Sequence, residues 1–183
     1  MATDTFGPSA LATPANAVTI GRLAATPVLL ALVLARPQSW WTLACWIVLA
    51  GTDGVDGYLA RRHGTTRSGA FLDPLADKFL VLGAMAALVV EDVFWWLPVA
   101  LIAGRELLIS AYRMVVGRHG VSVPARSWAK VKTVVQDVAV GFAVLPLDVP
   151  TSVADTLLWA GVALALVTGA QYLLDARVSA DAV

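Results

Sequence analysis

Four aspartates, Asp53, Asp56, Asp73 and Asp77, stand inside two apolar stretches of the length that crosses a bilayer. Hydrocarbon offers the backbone no water, so such stretches must satisfy their own hydrogen bonds as helices. An ionised carboxylate there is costly and marks a functional site by default. The chain must therefore fold as helices that turn these carboxylates inward. Their spacing says more. Asp53, Asp56, Gly57 and Ala60 fall at i, i+3, i+4 and i+7, one face of one helix. Asp73 and Asp77 fall at i and i+4, one face of the next. Two adjacent helices thus aim four oxygen ligands at one hard-cation site, and Gly57 with Ala60 leaves room for a substrate beside it. A plain helix-start reading covers only Asp73, as an N-cap followed by Pro74. It does not cover Asp53 and Asp56, which precede a continuing helical pattern, or Asp77 one turn deeper.

Composition agrees with a membrane chain. Of 183 residues, 58% are hydrophobic and 14% charged, whereas globular domains carry about 25% charge. Six apolar stretches, at about 18–35, 39–61, 71–91, 94–117, 129–147 and 152–175, approach the roughly 20 residues that a bilayer asks. The expected fold is all-α, a polytopic membrane protein of six transmembrane helices in a single domain over 1–183, with 1–15 a disordered cytoplasmic lead. That lead has no Lys or Arg and so lacks the basic start of a secretory signal, which leaves the first span in place. Pro27, Pro74 and Pro98 mark kinks or helix starts.

Charge sets the orientation. Arg61, Arg62 and Arg67 cluster between spans two and three, and Arg113, Arg118, Arg126, Lys130 and Lys132 between spans four and five. The other side holds Arg36 with Glu91, Asp92, Asp148 and Asp155. The positive-inside rule puts the basic loops, the active site and both termini on the cytoplasmic side of the inner membrane. Trp40, Trp41, Trp95 and Trp96 fall at the outer ends, where aromatic belts form.

The run D-x2-D-G-x2-A-R from Asp53 to Arg61, then G-x3-D-x3-D from Gly69 to Asp77, resembles the signature of the CDP-alcohol phosphotransferases. One departure stands out. Residues 62 to 68 put seven positions between Arg61 and Gly69, where the family usually has eight. The intact Gly69–Asp73–Asp77 spacing assigns the deletion to the connecting loop. The resemblance implies an enzyme that joins a CDP-activated group to an alcohol and releases CMP. It implies Asp53, Asp56, Asp73 and Asp77 as ligands of divalent metal, two ions of Mg2+ or Mn2+, with Asp77 also the general base. It further implies that Asp53, Gly57, Ala60 and Arg61 contact CDP-diacylglycerol. A guanidinium one turn beyond Gly57 suits a phosphate.

Two further blocks resemble the phosphatidylglycerophosphate synthase branch. Asn16 to Arg22 reads N-x2-T-x2-R, which implies Asn16 and Thr19 beside the CDP-diacylglycerol. Plain roles compete here, with Asn16 capping the first helix and Arg22 snorkelling to the inner interface. Arg105, Glu106 and Arg113, followed by Lys130, Lys132, Thr133 and Gln136, form the other block, with Ala129 where the branch often has Gly. Arg105, Arg113, Lys130 and Lys132 would hold the phosphate of a small anionic alcohol such as glycerol 3-phosphate. The competing reading is an internal Arg105–Glu106 network plus topological flanks, although neighbours on a helix need further partners. The branch's reaction joins CDP-diacylglycerol to glycerol 3-phosphate in the lipid bilayer, giving phosphatidylglycerophosphate and CMP. A homodimer, and no nucleic-acid partner, complete the expectation. The rivals are a sister enzyme with another acceptor (cardiolipin synthase or phosphatidylinositol-phosphate synthase) and a cation transporter or noncatalytic relative. A transporter needs neither Gly57, Ala60 and Arg61 in register nor outer ends as apolar as those of spans two and three.

Overall fold

A computed structural model describes residues 13–63, 66–118 and 128–180. They form six helices: α1 Pro14–Ala35, α2 Trp40–His63, α3 Arg67–Val90, α4 Trp96–Arg118, α5 Trp128–Ala143 and α6 Thr151–Ala180. No strand occurs among the described residues. The all-α expectation holds, with one helix for each apolar stretch.

The helix ends remove two plain capping readings that competed with site roles for Asn16 and Asp73. Thr13, not Asn16, caps α1. Its backbone is extended (φ −115°, ψ 152°), its hydroxyl accepts from the Asn16 N–H at 3.1 Å, and Pro14 follows. Proline lacks an N–H that the first turn would leave unused, so Thr13-Pro14 is the stronger start signal. Thr66, not Asp73, caps α3, accepting from the Gly69 N–H at 3.2 Å. Asp73 therefore lies two turns inside the helix, and Pro74 sits within it. At the far end, α3 closes in a Schellman turn. The Val93 N–H donates to Leu88 O at 2.9 Å and that of Asp92 to Val89 O at 3.2 Å. Asp92 takes the left-handed conformation there (φ 55°), which aspartate tolerates better than most side chains.

Helix α3 lies at the centre, packed on α1, α2, α4 and α5, while α6 packs on α4 and α5. Leu29 and Val33 of α1, Leu80, Ala84, Met85 and Leu88 of α3, Ile102 of α4 and Val140 of α5 form the buried apolar core. The outside is apolar too. Val28 on α1, Val48 on α2, Phe71 on α3, Leu107 and Leu108 on α4, Val134 on α5 and Val167 on α6 are all exposed. Monomeric soluble proteins rarely present apolar surface around a whole bundle. Trp40, Trp41, Trp95 and Trp96 are more than half exposed at the starts of α2 and α4.

Among the described residues, two helical segments, Pro14–Ala35 and Thr151–Tyr172, are long and apolar enough by themselves to cross a membrane. The physical reason the others fall short is visible in their sequences. Helices α2, α3 and α4 carry the charged residues of the candidate site, and α5 has 16 residues against the roughly 20 a bilayer asks.

Candidate functional site

The first turns of α1 and α3 meet, and the middle of α2 joins them at Thr52. Asn16, Thr19 and Arg22, at i, i+3 and i+6 of α1, share one face, and each is 1% exposed. Asn16 Nδ2 donates to Thr66 Oγ1 at 3.5 Å. Thr19 Oγ1 donates to Asp73 Oδ1 at 2.8 Å. Arg22 Nε donates to Thr52 Oγ1 at 3.0 Å. The expectation that Arg22 snorkels to the interface is overturned, because its guanidinium turns inward to α2. An inward hydroxyl partner, reached through a long stem packed in the helix interface, replaces the water it would have found outside.

These contacts fix the neighbourhood of the aspartates. Thr52 immediately precedes Asp53, and it meets α1 three residues from the position that meets Asp73, about 5 Å along the axis. Helix α2 runs unbroken through Asp53, Asp56, Gly57, Ala60 and Arg61, so their spacing on one helix stands. Their side-chain positions lie outside the described residues. Asp73 and Asp77 are half-buried and one turn apart on α3. Carboxylate oxygens at such positions are the donors that Mg2+ and Mn2+ take, so this pair fits a hard divalent cation. Among the described side chains, which do not include those of Asp53 and Asp56, no group of three potential ligands converges.

Gly69 packs against polar side chains at this corner. A Cβ there would stand 2.6 Å from Asn16 Oδ1 and 3.3 Å from Thr66 Oγ1, so a larger residue would displace the Asn16 amide.

A second polar cluster joins α4, α5 and α6. Arg105 and Glu106, although adjacent on α4, form an ion pair at 2.8 Å from Nη1 to Oε1. The further partners this pair requires are present. Arg105 Nε donates to Ala165 O at 2.9 Å and Nη2 to Thr168 Oγ1 at 3.1 Å, both on α6. Lys132 of α5 donates to the same Glu106 oxygen. Gly169 makes room for the arginine, since a Cβ there would stand 3.1 Å from Arg105 Nε. Lys78 of α3 adds to the positive field at Glu106. Arg105 and Lys132 are thus brought together around one carboxylate. The side chains of Arg113 and Lys130 lie outside the described residues.

Sequence reasoning missed Thr13, Thr52, Thr66 and Thr168. Thr66 was readable, since Thr directly before a helical apolar run is a cap signature. Thr52 and Thr168 bear no local signal, because their partners are on other helices.

The chain matches the family described as CDP-alcohol phosphatidyltransferase over residues 12–167. It is 41% identical to the probable phosphatidylglycerophosphate synthase of Mycobacterium tuberculosis over 181 residues, covering 93% of this chain and 84% of that one. It is 34% identical over 177 residues to the CDP-diacylglycerol–glycerol-3-phosphate 3-phosphatidyltransferase of Bacillus subtilis, covering 86% and 91% of the two chains. With the protein of the same name from Escherichia coli K12 it shares 44% over 119 residues, 61% and 65% of the two chains.

Proposed function

The chain belongs to the CDP-alcohol phosphatidyltransferase family, and from that premise we propose that it joins CDP-diacylglycerol to glycerol 3-phosphate, giving phosphatidylglycerophosphate and CMP. The observation that carries this reading is the similarity to synthases so named across 93% of the chain. It includes the Arg105–Gln136 block as well as the aspartate signature.

The protein is an integral membrane enzyme. All six helices cross the bilayer as one domain, with both termini and the active site on the cytoplasmic side; the apolar outer surface and the basic 2–3 and 4–5 connections support this. Asp53, Asp56, Asp73 and Asp77 hold two divalent cations, Mg2+ or Mn2+. Such cations neutralise charge developing on the departing phosphate. Gly57 and Ala60 admit the nucleotide to the α2 face, Asp53 and Arg61 contact it, and Asn16 and Thr19 border it from α1. Arg105, Arg113, Lys130 and Lys132 receive the acceptor's phosphate. The gathering of Arg105 and Lys132 at Glu106 supports that assignment. Asp77 accepts the proton of the acceptor's primary hydroxyl as its oxygen bonds to the phosphorus nearer the lipid. The pyrophosphate bridge breaks on the cytidine side of that phosphorus, and CMP leaves with the bridging oxygen. A homodimer is the working unit by resemblance of the signature.

Purified protein in detergent, given CDP-diacylglycerol, Mg2+ and a panel of alcohols, tests the reading. Product from glycerol 3-phosphate alone is expected. Turnover with phosphatidylglycerol or an inositol phosphate in its place would move the chain to a sister activity.

A further inference from the structure

The N-x2-T-x2-R face of α1 has no contact pattern of a surface that only lines a substrate. Its three side chains are fully buried, and each ends on the α2–α3 corner that carries the aspartates. Thr19 touches an aspartate. Its hydroxyl lies 2.8 Å from Asp73 Oδ1 and 3.2 Å from Ala15 O, one turn back on its own helix. A hydroxyl has one proton to give, and the shorter bond, to an ionised acceptor, is the stronger. A β-branched side chain in a helix has few rotamers, and burial removes the rest of its freedom. The oxygen is therefore held at one point while the proton is aimed at Asp73.

We propose that Thr19 is a positioning residue for the divalent-cation site, orienting the Asp73 carboxylate so that its remaining lone pairs face the metal. The inference rests on the metal reading above, and it gives Thr19 a role through Asp73 rather than through the nucleotide. The hydroxyl is suited to it. It is neutral, so it fixes the carboxylate without cancelling the charge that attracts the cation. Hydrogen bonds to ligating groups typically alter metal affinity by about 10- to 100-fold when removed.

The test is Mn2+ binding to the purified full-length protein in detergent, followed by the loss of the free-ion paramagnetic resonance signal, without CDP-diacylglycerol. Wild type binds Mn2+, Thr19→Val weakens binding by about tenfold or more, and Thr19→Ser restores it. Thr42→Val removes an equally buried hydroxyl about three turns earlier on α2 and leaves binding unchanged. In an Asp73→Asn background the Thr19→Val change adds nothing, because the two act as one unit. Wild type that binds no Mn2+ sinks the metal reading and this inference with it. Wild-type binding that Thr19→Val leaves intact, with a raised KM for CDP-diacylglycerol, overturns the inference alone and returns Thr19 to the nucleotide. Simple addition of the two substitutions, or a Thr19→Ser variant as weak as Thr19→Val, overturns it also.

Discussion

The seam between α1 and the α2–α3 corner and the seam joining α4, α5 and α6 are both buried and polar, yet each meets its carboxylate differently. At the first, a neutral hydroxyl meets the Asp73 carboxylate and orients it without neutralising it. At the second, Glu106 is met by two cations, Arg105 and Lys132, and Lys78 adds to the positive field. Under the proposed function, Asp73 keeps its charge for a metal, and the cations at Glu106 serve the acceptor's phosphate. The difference also bears on stability. Breaking a buried ion pair by removing one partner leaves a charge uncompensated, whereas thinning a crowd of carboxylates relieves repulsion.

The largest expected effect breaks the first seam. Chelation of divalent metal, or Asp53→Asn or Asp56→Asn, should abolish turnover with every acceptor while the protein elutes folded in detergent. Full activity in chelator would remove the cation from the comparison altogether. Next is Asp77→Asn. It should keep CDP-diacylglycerol binding and lose at least about a hundredfold in kcat, the low end for a missing general base. If the variant instead fails to bind nucleotide, Asp77 belongs to metal coordination and the proton goes elsewhere.

The second seam is probed by Lys132→Met, Arg113→Ala and Lys130→Ala. Each should raise KM for glycerol 3-phosphate about tenfold or more, as expected for a lost charge-assisted bond of roughly 1.5–3 kcal/mol. KM for CDP-diacylglycerol should stay near wild type. Equal rises in both constants would erase the distinction between a cation seam and an anion seam. The smallest effect is Thr13→Ala, which removes the α1 cap one turn before Asn16. It should lower unfolding free energy by about 1 kcal/mol and leave both KM values unchanged. A change in either KM would mean that the helix start itself shapes the site.

Much of the fold was legible because its signals are local. Each apolar stretch became one helix, and the Asp53–Asp56 and Asp73–Asp77 spacings survived as positions on α2 and α3. Helix ends were less legible. Asn16 and Asp73 are good capping residues by type, but Thr13 and Thr66 stand where the chain is extended and took the role. Span counting stopped at two clear segments for a related reason. The charges that mark a site within a helix also lower its mean hydropathy.

The sequence by itself determined six helices, the face that each aspartate shares and the family, since periodicity and motif spacing are properties of neighbouring residues. Only the tertiary structure decided where the polar residues of α1 and α4 spend their hydrogen bonds. Arg22 turned inward to Thr52, Thr19 to Asp73, and Arg105 across to Ala165 and Thr168. Each of those partners lies on another helix, at a distance along the chain that no local pattern encodes. A buried donor takes whichever acceptor packing brings within reach, because leaving it unmade costs more than any particular choice of partner.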